Sequence, residues 1–307
     1  MPARTLVVVN PRSRHGAAGR RWRALEPRLR AALGDGFEVE HTRGPRDAER
    51  IAREGVRAGV ECVVVVGGDG TTSEVVSGLL SADLGGRARI GLLPCGTGGD
   101  LPRTLGVPAD PEAAIARLAA GKTRRLDAGR VRYRDRSGRE ATSYFLNIAS
   151  LGIGALVSEL VNAAPKRLGG RVSFLAGTLR ALARWRSPHV ALRVDGELVH
   201  DGPLVLAAAA NGCYFGGGMR IAPEARPDDG LLDVVVVPDR PRRRLVWNLP
   251  RIYRGTHVAL PDVLCVRGRR VEAQAEPGRV WLEVDGEPLG TLPATIEILP
   301  GAIDFVG

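Results

Sequence analysis

Lysine is almost missing from this chain: Lys122 and Lys166 stand alone among 44 Lys+Arg residues, and arginine carries the rest of the positive charge. A GC-rich coding bias accounts for arginine in place of lysine, so that preference implies no chemistry. Cysteine is scarce too. Cys62, Cys95, Cys213 and Cys265 lie far apart, form no Cys-x-x-Cys pair and sit in apolar or glycine-rich surroundings. This argues against a disulfide scaffold or a zinc site and for a reducing, cytoplasmic setting. His15, His41, His189, His200 and His257 show no metal-ligand spacing. Aromatic residues make up 4% of the chain and are not interleaved with its basic residues as in a base-stacking platform, so no nucleic acid partner is expected. No apolar run approaches the ~20 residues of a membrane span, and the opening run, Leu6 to Val9, is too short for a signal-peptide core before Asn10-Pro11 ends it. The chain is therefore expected to be soluble.

What remains is ordinary globular composition, with 44% hydrophobic and 25% charged residues over a length of 307. That length suits two domains or one large one. The net charge of +10 favours anionic partners such as nucleotides or an acidic membrane surface.

Up to Asp127 the hydrophobic pattern alternates between two periods. Leu6–Val9, Phe37–His41, Cys62–Val66 and Ile90–Leu93 read as strands, the third fully apolar and so central. Helical spacing separates them: Ala18, Trp22, Leu25, Leu29 and Leu33; then Ala48, Ile51, Ala52 and Gly55; then Val75, Val76, Leu79 and Leu80. Short strands alternating with helices of about 10–16 residues imply βαβ units and a doubly wound parallel sheet. Beyond Asp127 strands dominate: Val190–Val194, Leu204–Ala210, Leu231–Val237, Val280–Val284 and Thr295–Leu299, with Asp195-Gly196 and Asp285-Gly286 among the turns. One helical segment interrupts them, in which Val172, Leu175, Ala176, Leu179, Leu182 and Ala183 share a face. The expected organisation is an α/β nucleotide-binding domain, residues 1–127, and a mainly antiparallel β domain, residues 128–307, sandwich or barrel-like, whose last residues pack back on the first.

The most informative stretch is Val63-Val-Val-Val-Gly67-Gly68-Asp69-Gly70-Thr71-Thr72-Ser73-Glu74. A buried strand runs into glycines and then a helix, so backbone N–H groups and the positive end of the helix dipole can meet an anion. No Gly-Lys-Ser/Thr follows, so this is not a Walker loop, and it is not the G-x-G-x-x-G fingerprint. Asp69 would repel a phosphate unless a divalent cation lay between them. A second such turn, Cys95-Gly96-Thr97-Gly98-Gly99-Asp100, follows the fourth strand, and Asp127 offers a third carboxylate. Two such turns at the ends of neighbouring parallel strands would face one crevice.

With Asn10-Pro11, Gly67 to Thr71, Gly96 to Asp100, Pro223 to Asp233 and Asp285-Gly286-Glu287-Pro288-Leu289 in that order, the chain resembles the diacylglycerol-kinase catalytic family of lipid kinases, which includes sphingosine and ceramide kinases. The match runs from Asn10 to about Pro300. It departs from the family pattern at Ser73 and Gly99, where Asn is usual, and Gly99 lacks a side chain beside the phosphates.

The resemblance implies ATP held by Asn10, Thr42, Gly67, Gly68, Asp69, Gly70, Thr71, Thr72, Ser73, Glu74, Gly96 and Thr97, with Mg²⁺ at Asp69, Asp100 and Asp127. It implies a structural Mg²⁺ at Asp229 with the backbone of Arg226 and Leu231, and Glu287, helped by Asp285, as general base. From the residues alone, Asp195-Gly196-Glu197 and Asp285-Gly286-Glu287 are equally good hairpin turns. Only the family motif separates them.

The resulting expectation is a cytoplasmic lipid kinase, membrane-associated peripherally during turnover, that phosphorylates a lipid hydroxyl, diacylglycerol first among acceptors. Its partners would be nucleotide, lipid at an anionic membrane surface and, in a homodimer, a second copy of the chain. Arginines from Arg240 to Arg254 mixed with Leu245, Trp247 and Tyr253 suit anionic headgroups, and Lys166–Arg186, with Phe174, Leu179 and Trp185, is a candidate acyl groove. The alternatives are a kinase of a soluble alcohol, NAD or a sugar phosphate, and a catalytically silent nucleotide- or membrane-binding relative.

Overall fold

The first apolar run forms strand β1 (Thr5–Val9), and four βα steps follow it: α1 (Ala17–Leu33), β2 (Phe37–His41), α2 (Asp47–Arg57), β3 (Cys62–Gly67), α3 (Asp69–Leu80), β4 (Arg89–Pro94), α4 (Asp100–Leu105) and α5 (Pro111–Ala120). The structure is a computed structural model that describes residues 4–13, 16–95, 99–163 and 170–307. By its contacts the chain divides into two compact units, Met1–Ala128 with Pro300–Gly307, and Gly129–Leu299.

In the first unit the parallel strands stand in the order β2–β1–β3–β4, and Asp304 and Phe305 add a last parallel pairing to Arg89 and Ile90. Val7, Val9, Val64 and Val66 pack with Trp22, Leu25 and Leu29 of α1 and Ile115 and Leu118 of α5. Their alternate neighbours Leu6, Val8, Val63 and Val65 are equally buried, and α2 and α3 lie against β1 and β3. A sheet covered on both faces has no polar alternation, which is why Cys62–Val66 is wholly apolar. Helix α5 starts where Asp110 accepts the Ala113 N–H at 2.9 Å, with Pro111 in its first turn, and ends at Gly121 in the left-handed region.

The second unit is built from β5 (Thr123–Asp135), which begins in the first, β6 (Glu140–Phe145), β7 (Ile148–Gly152), α6 (Gly154–Ala163), α7 (Gly170–Arg184), β8 (His189–Val194), β9 (Glu197–Ala210), β10 (Leu232–Pro238), α8 (Arg242–Arg254), β11 (Leu264–Gly268), β12 (Arg270–Gln274), β13 (Trp281–Val284) and β14 (Glu287–Val306), which ends in the first. Antiparallel pairings close a ring: β9 joins β8 and β7, β8 joins β12, β12 joins β14, β14 joins β13, and β13 joins β7. The expected sandwich or barrel is thus a closed barrel, filled by Phe145, Val190, Leu192, Leu282, Leu292 and Ile296. In β9, Ala207 and Ala209 face that core, while Ala208 and Ala210 pack outward with Val157, Leu182 and Leu249 of the three helices. The single helical interruption expected from the sequence is two helices, α6 and α7, and the arginine-rich segment forms α8. Lys166 and the side chains of Val172, Phe174 and Leu175 lie outside the described residues. Among the described residues no helix is long and apolar enough to cross a membrane.

Candidate active site

The chain leaves β1 through α1 to β2 on one side and returns through α2 to β3 on the other. The strand order therefore reverses between β1 and β3, the point at which open α/β sheets bind ligands beyond the carboxyl ends of their strands. Asn10 sits at that point. Its backbone N–H donates to Val66 O at 3.0 Å, its side-chain amide donates to Thr71 Oγ1 at 2.9 Å, and its Oδ1 accepts the Arg12 N–H at 3.0 Å. Thr42 at the end of β2 donates its N–H to Val9 O at 2.9 Å, and Cys95 after β4 donates its own to Gly67 O at 2.8 Å. Four strand ends thus form one edge.

A Cβ on Gly67 would lie 2.7 Å from Thr71 Oγ1, so only glycine lets the helix start this close to the strand. Gly68 is the N-cap of α3 and no side chain caps that helix, whose first-turn N–H groups and positive dipole end open at the strand edge. Thr71 and Thr72 are buried in this turn, and Thr72 Oγ1 donates back to Gly68 O at 3.3 Å. Ser73 follows on α3, partly buried. Glu74 is turned elsewhere and accepts the Ala48 N–H at 3.2 Å in the first turn of α2. Gly96 and Thr97 lie outside the described residues, and Gly99 adopts φ 66, a left-handed conformation that Asn also tolerates.

Asp69 accepts the Asp100 N–H at 3.0 Å through Oδ2, while its Oδ1 is shielded from solvent and has no hydrogen-bond partner among the described residues. Burial, helped by the Asp100 charge, pushes its carboxyl up to about 6, against the pull of the Asp100 and Leu101 N–H groups and the Arg103 charge. A buried carboxylate oxygen without a donor is costly, and a hard cation is the partner it lacks. Asp69 therefore fits Mg²⁺. The other two carboxylates of that expectation make bonds of their own: Asp100 accepts from the Arg103 guanidinium at 2.8 Å, and buried Asp127 accepts the Gly301 N–H at 2.7 Å. No group of three or more His, Cys, Asp or Glu among the described residues forms a ready-made metal cluster.

In the second unit both Asp-Gly pairs are two-residue hairpins with both residues left-handed: Asp195 and Gly196 at φ 49 and 91, Asp285 and Gly286 at φ 48 and 88. Both aspartates also brace a neighbouring chain. Asp195 accepts the N–H groups of Arg269 and Arg270, and Asp285 accepts those of Leu146, Asn147 and Ile148 at 3.0 to 3.3 Å. The difference lies beside the second hairpin. Glu283 is buried there, accepts from Ser158 Oγ at 3.3 Å and is pushed up to about 7, mainly by burial and further by the charges of Glu287 and Asp285. Buried Ser150 lies in the adjoining β7, and buried Asn147 and Asn211 stand just before β7 and just after β9. Glu287 is exposed at the start of β14. Sequence reasoning missed Glu283 and Asn147, although each is a polar residue inside an apolar run.

At the Asp229 turn the side chain accepts the Leu231 N–H at 3.1 Å and pairs through its second oxygen with the Arg267 guanidinium, which also reaches Asp233 at 3.4 Å. Both oxygens of Asp229 are thus engaged, and the Arg267 guanidinium supplies positive charge to Asp229 and Asp233 together; the Leu231 contact is through its N–H, so the backbone carbonyls of Arg226 and Leu231, the groups expected to face Mg²⁺, take no part in these bonds. Arg267→Ala, which leaves two acidic neighbours unscreened, should melt lower and regain part of the loss on adding Mg²⁺. An Arg267→Ala variant that melts with the wild type would overturn this pairing.

Two family models cover most of the chain: the diacylglycerol kinase catalytic domain over residues 4–131, and the YegS C-terminal NAD kinase beta sandwich-like domain over residues 147–307. The chain belongs to the diacylglycerol kinase catalytic-domain family. A diacylglycerol kinase of Mycobacterium tuberculosis is 32% identical over 97% of this chain and 93% of its own length, and a YegS-like lipid kinase of Chromohalobacter salexigens is 34% identical over 90% and 88%. A solved structure assigned to the diacylglycerol kinases, from Bacillus anthracis str. Sterne, superposes with a TM-score of 0.80 at 27% identity, covering 99% of this chain and 97% of that one. In this kinase the strand-end edge around Asn10, Gly67 and Asp69 lies within the stretch matched by the catalytic-domain model, and the Asp285 hairpin lies within the second match.

Proposed function

We propose that this kinase transfers the γ-phosphoryl group of ATP to a lipid hydroxyl, with diacylglycerol as the acceptor. The observation that carries the nucleotide reading is the uncapped start of α3 at the β1/β3 switch point, beside a buried Asp69 oxygen without a hydrogen-bond partner among the described residues. The lipid reading draws on full-length similarity to relatives named as diacylglycerol and lipid kinases. Asn10 fixes the position of Thr71 and so the geometry of the turn. The N–H groups of the Gly68–Thr71 turn hold phosphate oxygens, and Asp69 holds Mg²⁺, which neutralises charge on the phosphates when bound. The acceptor hydroxyl oxygen bonds to the γ-phosphorus as the bond to the ADP oxygen breaks, and Glu287 takes the hydroxyl proton. Asp285 keeps the hairpin that carries Glu287 in place through its three backbone N–H contacts.

The test is label transfer from γ-labelled ATP and Mg²⁺ into dispersed diacylglycerol and a total lipid extract, with NAD and sugar phosphates in parallel tubes. Label should appear in the organic phase as the phosphorylated diacylglycerol. Label in a soluble acceptor, or in none, would overturn the lipid reading.

A further inference from the structure

Helix α8 has two faces of opposite character. Leu245, Leu249 and Ile252 pack into the cluster formed with α6, α7 and the outer side of β9 and β10. At 100° per residue the opposite face carries Arg243, Val246, Trp247, Pro250, Arg251 and Arg254. All six are exposed: Trp247, at the centre of that face, is 83% exposed and Val246 39%. The helix contains no acidic residue. Among the described residues no carboxylate ion-pairs with Arg243, Arg251 or Arg254, whereas nearby Arg240 is paired with Asp262 at 2.7 Å. A groove of about 730 Å³ lies beside this face, lined by Arg240, Arg243, Arg244 and Trp247 together with Asp262, whose charge Arg240 pairs.

Core packing explains neither feature. A tryptophan this exposed loses nothing by leaving the surface unless it is buried on binding, and three unneutralised arginines around it repel one another until an anion arrives. An indole flanked by guanidinium groups on a helix lying flat is the chemistry of a bilayer interface: the ring enters the headgroup–acyl boundary and the cations meet lipid phosphates. We propose that the Arg243–Trp247–Arg251–Arg254 face of α8 docks this kinase on bilayers of anionic phospholipid, with the adjoining groove receiving a phosphate-bearing headgroup. This rests on the lipid-kinase reading for its purpose, but not for its test.

The test is co-sedimentation of the full chain with vesicles of phosphatidylcholine alone or mixed with phosphatidylglycerol, alongside turnover on diacylglycerol dispersed in neutral detergent. Wild type should bind the anionic vesicles, weakly at high salt, with a blue shift in tryptophan emission, and should ignore phosphatidylcholine. Reversing charge in Arg243→Glu/Arg251→Glu should weaken vesicle binding at least about tenfold, since each basic residue at an anionic surface contributes about a fivefold effect. Trp247→Ala should weaken it severalfold and remove most of the blue shift. Both variants should keep the wild-type melting temperature and detergent-phase turnover, because the altered side chains are exposed and none belongs to the phosphate-binding turn. Vesicle binding unchanged in both variants would overturn the proposal, as would binding to an anionic oligonucleotide in preference to vesicles. Vesicle binding that follows these variants while no lipid is phosphorylated in either format would leave the docking face standing and bring down the lipid-kinase reading instead.

Discussion

Asp69→Asn is expected to reduce phosphoryl transfer at least about 100-fold and, at the same time, to raise the thermal stability of the nucleotide-free protein. Loss of activity follows because the amide cannot hold the cation whose charge offsets that of the phosphates. Gain of stability follows from burial. The Asp69 carboxyl titrates near 6 in the folded chain and near the ordinary ~3.9 when unfolded. Between those values the folded state binds the extra proton, so this group's contribution to stability is intact below about pH 4, falls as pH rises to about 6 and stays low above. Two units correspond to roughly 3 kcal/mol at most. Asn keeps an oxygen for the Asp100 N–H and carries no charge, so the variant should melt several degrees higher at pH 7.5 and about equally at pH 4. Glu283 titrates in the same direction, raised to about 7, so the readout is the difference between variant and wild type at each pH. Near-normal turnover would remove Asp69 from the phosphate site, and an unchanged melting point at pH 7.5 would contradict the buried, unpaired oxygen.

Glu287→Gln should lower kcat by about 10² to 10⁴, the usual contribution of a general base, with little change in the affinity for ATP. The matched control is Glu197→Gln. Both glutamates begin a strand directly after an Asp-Gly hairpin, and both aspartates brace a neighbouring strand, so local geometry treats them alike. Their surroundings differ: Glu283, buried and poised near neutrality, lies next to the Glu287 hairpin, and its carboxyl senses the charge of Glu287. Equal loss in both variants would point to hairpin stability as the cause. Loss confined to Glu197→Gln would transfer the base to the other hairpin.

The parallel sheet was legible because its evidence is local. Cys62–Val66 is apolar at every position, as a strand covered on both faces must be, and the glycines after it leave a helix start uncapped. The second unit was legible in class, since its alternation and two Asp-Gly pairs fix antiparallel hairpins. Helix α8 was harder to read, because Pro250 interrupts a helical pattern and arginine carries no periodic signal when it fills both the first turn and the last. Ala207 to Ala210 concealed the helices over β9 in the same way: residues buried on both faces lose the alternation that tells which side is covered.

The amino-acid sequence by itself determined the two units, the order of their elements and the glycine turn that opens α3 at the strand edge, because hydrophobic period, glycine and charge act between residues near in the chain. Tertiary structure alone decided the partners of the acids. Asp69 is left with an oxygen that has no hydrogen-bond partner among the described residues, Asp127 is tied to Gly301, and Asp229 is paired with Arg267. Those outcomes depend on burial and on donors up to 174 residues away in the chain, and a carboxylate's charge and reactivity are set by what surrounds it in space.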